Sequence, residues 1–256
     1  MMEITILGCG AALPAHGRHC SGQVITVDGH RYMIDCGEGT QTQLRIAHQK
    51  LQSMTRIFIS HLHGDHVFGL PGLLSTMHLC GRKDPIDIYS PKGLQEILTP
   101  FFNVCGSHID FEVRYHVISG NQILLEDNKV RVTAFPLHHS IETYGFSFEE
   151  LSPRHPRRYV YCSDTGYHED LIPHLLHADL ACLESTFTHK YAPLALEKGH
   201  LTARQAAQLA QAAEVKQLML THFSARYKEL DPVLEEARAV FPNTIPATEG
   251  ETLRLK

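Results

Sequence analysis

The sequence has no apolar run near the roughly 18–20 residues that a membrane-spanning helix requires. It also has no basic segment at its start, because Met1 to Gly10 contains Glu3 and is interpreted as a first strand and not as a signal peptide. Internal repeats, low-complexity tracts and obvious linkers are absent as well. A length of 256 residues would allow one large domain or two small ones, and we expect a single domain over residues 1–256.

Basic residues are too few for a typical nucleic-acid-binding protein. Lys and Arg total 23 against 28 Asp and Glu, which gives a formal net charge of -5, whereas such proteins usually carry a basic excess. Any contact with nucleic acid must therefore come from a local basic patch. The seven cysteines are odd in number and include no Cys-x-x-Cys pair, so we interpret them as small buried residues in a reducing compartment, the cytoplasm.

The pattern of apolar residues predicts an α/β fold. Short apolar segments near residues 4–7, 23–27 and 31–35 predict strands, with Asp28-Gly29 as a hairpin turn. Thr40-x-x-Gln43 and Thr202-x-x-Gln205 predict capping boxes, and Asp231 before Pro232 predicts a further helix N-cap. Strands mixed with helices along the whole chain indicate two sheets between helical layers.

Histidine is abundant, with 19 residues, and its placement indicates a metal site. The run His61-Leu62-His63-Gly64-Asp65-His66 holds four candidate ligands directly after a predicted strand. His61 and His63 point the same way in an extended segment, and Gly64 permits a turn that brings Asp65 and His66 to the same spot. Imidazole with carboxylate suits zinc, and also manganese or iron. The alternative is a polar loop at the end of a strand.

Candidate ligands and acids also follow other predicted strands. Each of the following comes directly after an apolar segment: His61, His138 with His139, Asp164, Glu184 and His222. Ligand sites in α/β sheets lie outside the carboxyl ends of strands. Although any one of these residues alone could be an ordinary surface residue, the set predicts one convergent site. Asp35, another acid at a strand end, is predicted to orient a ligand and not to bind metal.

Several motifs resemble those of a known family. They are Gly37-Glu38-Gly39-Thr40-Gln41, the histidine run, Glu184-Ser185-Thr186-Phe187, His200-Leu201-Thr202-Ala203 and Thr221-His222-Phe223-Ser224-Ala225-Arg226-Tyr227. The histidine run is shared by the metallo-β-lactamase superfamily. The other motifs are similar to those of the ribonuclease Z family, endonucleases that remove the 3′ trailer of precursor tRNA.

This resemblance implies an αββα sandwich, a homodimer and two Zn²⁺ ions per chain, with Mn²⁺ or Fe as alternatives. One ion would be bound by His61, His63 and His139, the other by Asp65, His66 and His222, and Asp164 would bridge both. Two ions about 3.5–4 Å apart suit phosphoryl transfer, because they clamp the attacking and leaving oxygens.

The resemblance also implies roles for two residues outside the metal ligands, Glu184 and His200. Asp65 is placed to act as general base or orienter of the attacking water, and His200, supported by Glu184, could protonate the leaving alkoxide. Considered alone, His200 would be an exposed residue before the Thr202 cap, and Glu184 a helix N-terminal acid.

The sequence departs from the family in two places. The family inserts an arm that grips tRNA between the strands near Phe146 and Val160, whereas here only residues 149–158 join them. The short turn carries Arg154, Arg157 and Arg158, which could contact phosphates or form an ordinary charged hairpin turn. The second departure is in the early loop, residues 8–19. The family tends to have Lys and Arg-Asn in the second half of this loop, whereas here His16 and His19 lie near Arg18, which is a candidate phosphate contact. Arg226, in the last motif, is a further candidate for substrate binding.

Three functions remain open from the sequence. The first is a two-metal phosphodiesterase acting on precursor tRNA, and the second is a phosphodiesterase for small cyclic phosphates or nucleotides. A metal-stabilised binding protein without catalytic activity is the third, and the presence of all the proposed ligands together with Glu184 and His200 argues against it. Salt separates the first two, because RNA cleavage should weaken with salt as phosphate contacts release counterions.

Overall fold

The structure is a computed structural model that describes residues 1–151 and 156–255. Its centre consists of two seven-stranded sheets. The first contains, in spatial order, β14 (Thr252–Leu255), β1 (Met2–Gly8), β2 (Gly22–Val27), β3 (His30–Ile34), β4 (Met54–Phe58), β5 (Ile86–Ser90) and β6 (Val113–Val117). The second contains β13 (Thr244–Pro246), β12 (Leu218–Thr221), β11 (Leu180–Glu184), β10 (Arg158–Cys162), β9 (Tyr144–Glu150), β8 (Val130–Pro136) and β7 (Gln122–Glu126).

Helices accompany both halves of the chain. They are α1 (Thr40–Ile46), α2 (Gly64–Val67), α3 (Leu70–Leu79), α4 (Leu94–Val104), α5 (Ile172–Leu175), α6 (Ala192–Lys198), α7 (Ala203–Ala212) and α8 (Asp231–Arg238). Among the described residues, no helix is long and apolar enough to cross a bilayer.

Two hydrophobic cores hold the layers together. In the larger core the aromatic rings of β4 and β9 meet between the sheets, where Phe58 packs edge-on against Phe148 with centroids 5.5 Å apart. The same core continues through the second sheet to the small residues of α7, such as Ala206 and Ala210. The smaller core packs α1, α3 and α4 on the outer face of the first sheet. The predicted αββα sandwich is thereby confirmed.

Parallel strands fix where the functional residues lie. Strands β3 to β6 run parallel in the first sheet, and β10 to β13 run parallel in the second. Backbone hydrogen bonds join the ends of the two sheets: Tyr144 N donates to Ser60 O (2.9 Å), and Phe223 N donates to Cys9 O (2.8 Å). The loops that follow β4, β10, β11 and β12 therefore meet at one edge of the sandwich.

Local predictions from the sequence met different outcomes. The Thr202 capping box is confirmed, since Thr202 Oγ1 accepts from Gln205 N and Gln205 Oε1 accepts from Thr202 N. The Thr40 box is wrong: Gly39, with φ +81°, is the N-cap, and the Thr40 hydroxyl donates to Gly37 O instead. The Asp231 cap is also wrong, because α8 begins at Asp231 and Leu230 is its N-cap.

The cysteines agree with the sequence analysis only in part. All seven lie in the described part of the chain, and each is a free thiol. Five of them are buried, as predicted, but Cys80 and Cys105 are exposed. These two follow the last turns of α3 and α4, beyond the residues that pack on the first sheet.

Candidate metal centre

The seven predicted metal ligands lie together at one edge of the sandwich, and we call this group the metal centre. His61, His63, Asp65 and His66 follow β4, His139 follows β8, Asp164 follows β10 and His222 follows β12. Asp164 is 3% exposed and lies between the other ligands. Its two carboxylate oxygens face two different sets of side chains.

Oδ2 of Asp164 faces the first set, His61, His63 and His139. It lies 3.7 Å from Nε2 of His61 and 3.7 Å from Nε2 of His139. Nδ1 of His63 lies 3.1 Å from Nε2 of His61 and 3.3 Å from Nε2 of His139. Three imidazole nitrogens and one carboxylate oxygen therefore surround one point.

Oδ1 of Asp164 faces the second set, Asp65, His66 and His222. It lies 3.4 Å from Nε2 of His66 and 3.2 Å from Nε2 of His222. Oδ2 of Asp65 lies 3.5 Å from the same nitrogen of His66 and 3.3 Å from that of His222. The structure thus groups the side chains as the family resemblance implied.

Hydrogen bonds around the first set determine which ring nitrogens carry protons. His139 donates from Nδ1 to Gly199 O (3.0 Å), so its Nε2 presents a lone pair. The Ser60 hydroxyl donates to Asp35 Oδ2 (2.9 Å) and therefore accepts from Nδ1 of His61 (3.0 Å). Nε2 of His61 consequently presents a lone pair as well.

The second set is held in the same way. His66 donates from Nδ1 to Asp35 Oδ2 (2.7 Å), and its Nε2 is buried with no hydrogen-bond partner. The Thr186 hydroxyl donates to Glu184 Oε2 (2.5 Å) and accepts from Nδ1 of His222 (2.9 Å). Nδ1 of each ring is thus engaged outside the centre, and Nε2 of His66 and Nε2 of His222 face the carboxylates of Asp65 and Asp164.

This donor set fits metal ions. Nitrogens of five imidazoles converge with the carboxylates of Asp65 and Asp164, and these are the side chains that bind zinc in proteins. Burial, followed by the nearby His66, lowers the pKa of His61 to about 2, so its ring is neutral and ready to coordinate. Burial also opposes charge on His66, but Asp35 and Asp164 outweigh burial and raise its pKa well above the usual value. Without a metal, a proton would lie on His66.

Asp35 lies beside the metal centre and forms hydrogen bonds with its residues, so its role as an orienting residue stays a prediction. Its carboxylate is fully buried and accepts from His66, from the Ser60 hydroxyl and, at 2.8 Å, from the Tyr161 hydroxyl. Partners of this kind fix ring orientation and raise ligand basicity. Ser60 and Thr186, which hydrogen-bond to His61 and His222, are supporting residues that the sequence did not predict. Their only sequence signal was position, beside His61 and within the Glu184 motif.

Glu184 and His200 form a hydrogen-bonded pair next to the second set. His200 Nδ1 donates to Glu184 Oε1 at 2.8 Å, and the Glu184 side chain is fully buried. Burial disfavours the charged imidazolium, but the attraction of Glu184, helped by Asp164 and Asp65, outweighs it and raises the pKa of His200 to about 9. His200 therefore carries two protons at neutral pH.

The metal centre opens into a cleft of about 550 Å³. His63, Asp65, His139, Asp164, His200 and His222 line it together with Phe187, Lys198 and Ser224. Arg226, at the rim, is exposed, and its guanidinium carbon lies 4.8 Å from the Phe187 ring centroid and 4.7 Å from that of Tyr191. Stacking of this kind holds the charge in place while leaving it accessible.

The other predicted substrate arginines are bound to the protein itself. Arg18 donates to the carbonyl oxygens of Tyr227 and Lys228, which ties the early loop to the loop after β12. Arg157 pairs with Asp179 at 3.5 Å. Arg158 donates to the carbonyl oxygens of Leu176 and His174 (2.7 Å each).

The two arginines of the short turn lie far from the metal centre along the strand. Arg157 precedes β10 and Arg158 is its first residue, whereas Asp164 follows the end of the strand. Arg154 falls outside the residues that the structure describes. A contact between Arg157 or Arg158 and the reacting phosphate is therefore not expected, and a contact with a distant part of a large substrate stays a prediction.

Comparisons with known proteins find similar proteins over the whole length of the chain. A family model described as the beta-lactamase superfamily domain matches residues 30–223. The chain is 39% identical to ribonuclease Z of Bacteroides fragilis over 300 aligned residues, which cover 99% of each chain. It is 34% identical to ribonuclease Z of Methanothermobacter thermautotrophicus, and that alignment covers 100% of this chain and 97% of the relative. The crystal structure of human tRNase Z, short form, is 32% identical, with a TM-score of 0.85 over 99% of both chains.

Metal binding should release protons. Because the raised pKa of His66 keeps a proton on the metal-free chain, an ion must displace that proton, so metal affinity should fall as the pH decreases. Calorimetric titration of the metal-free protein with Zn²⁺, in buffers of different ionisation enthalpy, measures the number of protons released. Asp35→Asn removes the main group that raises the pKa of His66, so this variant should release fewer protons when it binds the metal. An affinity that does not change with pH would contradict this assignment.

Proposed function

The chain belongs to the ribonuclease Z family of the β-lactamase superfamily. We propose that it cleaves precursor tRNA endonucleolytically to remove the 3′ trailer, and that it uses two divalent metal ions. The observation that carries the proposal is the position of Asp164, whose two oxygens face two separate ligand sets. A carboxylate shared in this way suits a pair of ions, because a single ion would leave one of its oxygens without a metal. Residues 1–256 would act as one domain.

The proposed ions are zinc, held by the residues of the metal centre. His61, His63 and His139 would hold one ion, Asp65, His66 and His222 the other, and Asp164 would bridge them. Nitrogen-rich ligand sets with carboxylates suit zinc, and Mn²⁺ or Fe would also fit. When bound, such ions lower the pKa of water to about 7 and offset the charge of the phosphate in the transition state.

Side chains of the cleft would do the remaining work. Asp65 lines the cleft and accepts from Ala12 N at 2.8 Å, which fixes its carboxylate where it can orient the attacking water. His200 lines the same cleft in its protonated form. We assign to it the proton that the leaving alkoxide takes up when the phosphodiester bond breaks, and Glu184 holds the ring in position.

The substrate would be gripped by the body of the protein. The alignment with the Bacteroides relative spans 300 positions, whereas this chain has 256 residues, so more than 40 positions of the alignment are gaps in this chain. The connection from β9 to β10 comprises only residues 151–157, which are too few to form an arm. Arg226 at the cleft rim is the first proposed phosphate contact, with Arg18 beside it and Arg157 and Arg158 as distal contacts.

A homodimer is part of the proposal. Helices α2 to α4 and the residues after them expose large apolar side chains: Phe68 (72%), Leu79 (81%), Ile97 (56%), Phe101 (46%) and Val104 (87%). Exposed apolar area of this kind is typical of a protein interface.

The free thiols of all seven cysteines favour a reducing compartment, and we propose the cytoplasm.

Cleavage of precursor tRNA tests the proposed function. Metal-loaded protein is given a precursor with a 3′ trailer and, separately, a chromogenic phosphodiester, each at about 50 mM and about 200 mM salt. We expect a cut after the discriminator base that is strongly suppressed by salt. His63→Ala removes a ligand and should abolish both activities, whereas the exposed His108→Ala should change neither. Turnover of the small diester with an intact precursor would instead indicate a phosphodiesterase for small substrates.

The pH dependence tests the role of His200. The attraction of Glu184 raises the pKa of His200, and Glu184→Gln removes that charge, so burial would then lower the pKa. We expect the rate at pH 8 to fall by roughly 10²-fold and the alkaline limb of the pH–rate profile to move to lower pH. Glu197→Gln, in the wall of the same cleft, is the control. An alkaline limb that stays in place in Glu184→Gln would refute this role.

A further inference from the structure

A second histidine cluster lies beside the metal centre and outside it. His138 precedes His139 in the loop after β8 and is exposed. His168 and Asp170 follow β10 at the 3₁₀ turn Glu169–Leu171, on the chain segment that begins with Asp164. None of these three residues has a part in the proposed cleavage.

The three side chains have the spacing of metal ligands. One ligand atom of His138, one of His168 and one of Asp170 all lie within 4.8 Å of one another. The two imidazole rings stack with centroids 3.7 Å apart and planes 15° apart. Ligand atoms around a tetrahedral zinc ion are about 3.3 Å apart, given Zn–N distances of about 2.0–2.1 Å. Because the in-plane lone pairs of stacked rings are parallel, both rings must rotate out of the stack to direct a nitrogen at one ion with Asp170.

His168 is also short of hydrogen-bond partners. Both of its ring nitrogens are buried and neither has a partner among the described residues. A buried polar atom without a partner costs roughly 1–3 kcal/mol. Other histidines outside the metal centre pair with carboxylates, such as His116 with Asp87 at 2.7 Å and His108 with Asp110 at 2.9 Å. His168 faces the ring of His138 instead, and a coordinated ion would satisfy one of its nitrogens.

We propose that His138, His168 and Asp170 form an additional binding site for a divalent transition-metal ion such as Zn²⁺. Two imidazole nitrogens and one carboxylate oxygen favour zinc, cobalt or nickel over magnesium or calcium. His138 and Asp170 are exposed, so water can complete the coordination and the ion can exchange with solution.

An ion at this site would stabilise the catalytic ligands indirectly. His138 N donates to Thr165 Oγ1 (3.2 Å), and Gly166 N donates to His138 O (2.7 Å). The loop that carries His139 is thus already bound to the segment that carries Asp164. Coordination by His138 and His168 would add a direct link between the same two segments. The additional site would therefore raise the thermal stability of this edge of the sandwich.

Metal stoichiometry tests the additional site, and the test does not depend on the proposed tRNA substrate. Holoenzyme is dialysed to equilibrium against Zn²⁺ and analysed by elemental mass spectrometry, for the wild type and for His168→Asn and Asp170→Asn. We expect each variant to bind one ion fewer per chain than the wild type, with unchanged turnover of a small phosphodiester. His177→Asn is the control, because this exposed histidine has φ +57°, which Asn tolerates, and it lies outside the clusters.

The result has clear alternatives. Equal stoichiometry in the wild type and both variants would overturn the proposal. Loss of an ion together with loss of diester turnover would also overturn it, because the ion would then have left the metal centre. Co²⁺ absorption gives a second measurement on the same proteins: the visible bands of the wild type should lose one component in both variants and retain it in His177→Asn.

Discussion

The buried carboxylate of Asp164 is the constraint on which the rest of the site depends. A charge with so little exposure is costly unless opposite charge compensates it. Its two oxygens face His61 and His139 on one side and His66 and His222 on the other. Because these residues come from both sheets, the whole sandwich must assemble before the charge is compensated. We therefore expect metal binding and folding to be coupled.

The supporting hydrogen bonds convert flexible imidazoles into directed ligands. Asp35 and Glu184 lie on opposite sheets, and through Ser60 and Thr186 each fixes the proton position of a ligand histidine. Asp35 has φ +56° and His222 has φ +57°, a conformation that non-glycine residues rarely adopt. Backbone strain of this kind is typical of functional sites, where the surrounding structure enforces it.

The sequence predicts which side chains gather at the metal centre better than it predicts the residues that support them. The run from His61 to His66 was found because four ligands are contiguous, and His139, Asp164 and His222 because each follows an apolar strand. The proton positions set by Ser60 and Thr186 depend on contacts between distant segments, which no local pattern encodes. The Thr40 cap was wrong because Thr40 is already the first residue of the helix and Gly39 is its N-cap. Arg158, predicted to bind substrate, holds carbonyl groups of its own chain in this structure.

Anomalous diffraction from crystals of the zinc-loaded protein would test the bridging role of Asp164 most directly. The structure predicts two zinc peaks in the metal centre, one bonded to Oδ2 of Asp164 beside His61 and His139, the other bonded to Oδ1 beside His66 and His222. A single peak in the centre, or two peaks with Asp164 bonded to only one of them, would contradict the bridge and the two-ion chemistry that depends on it.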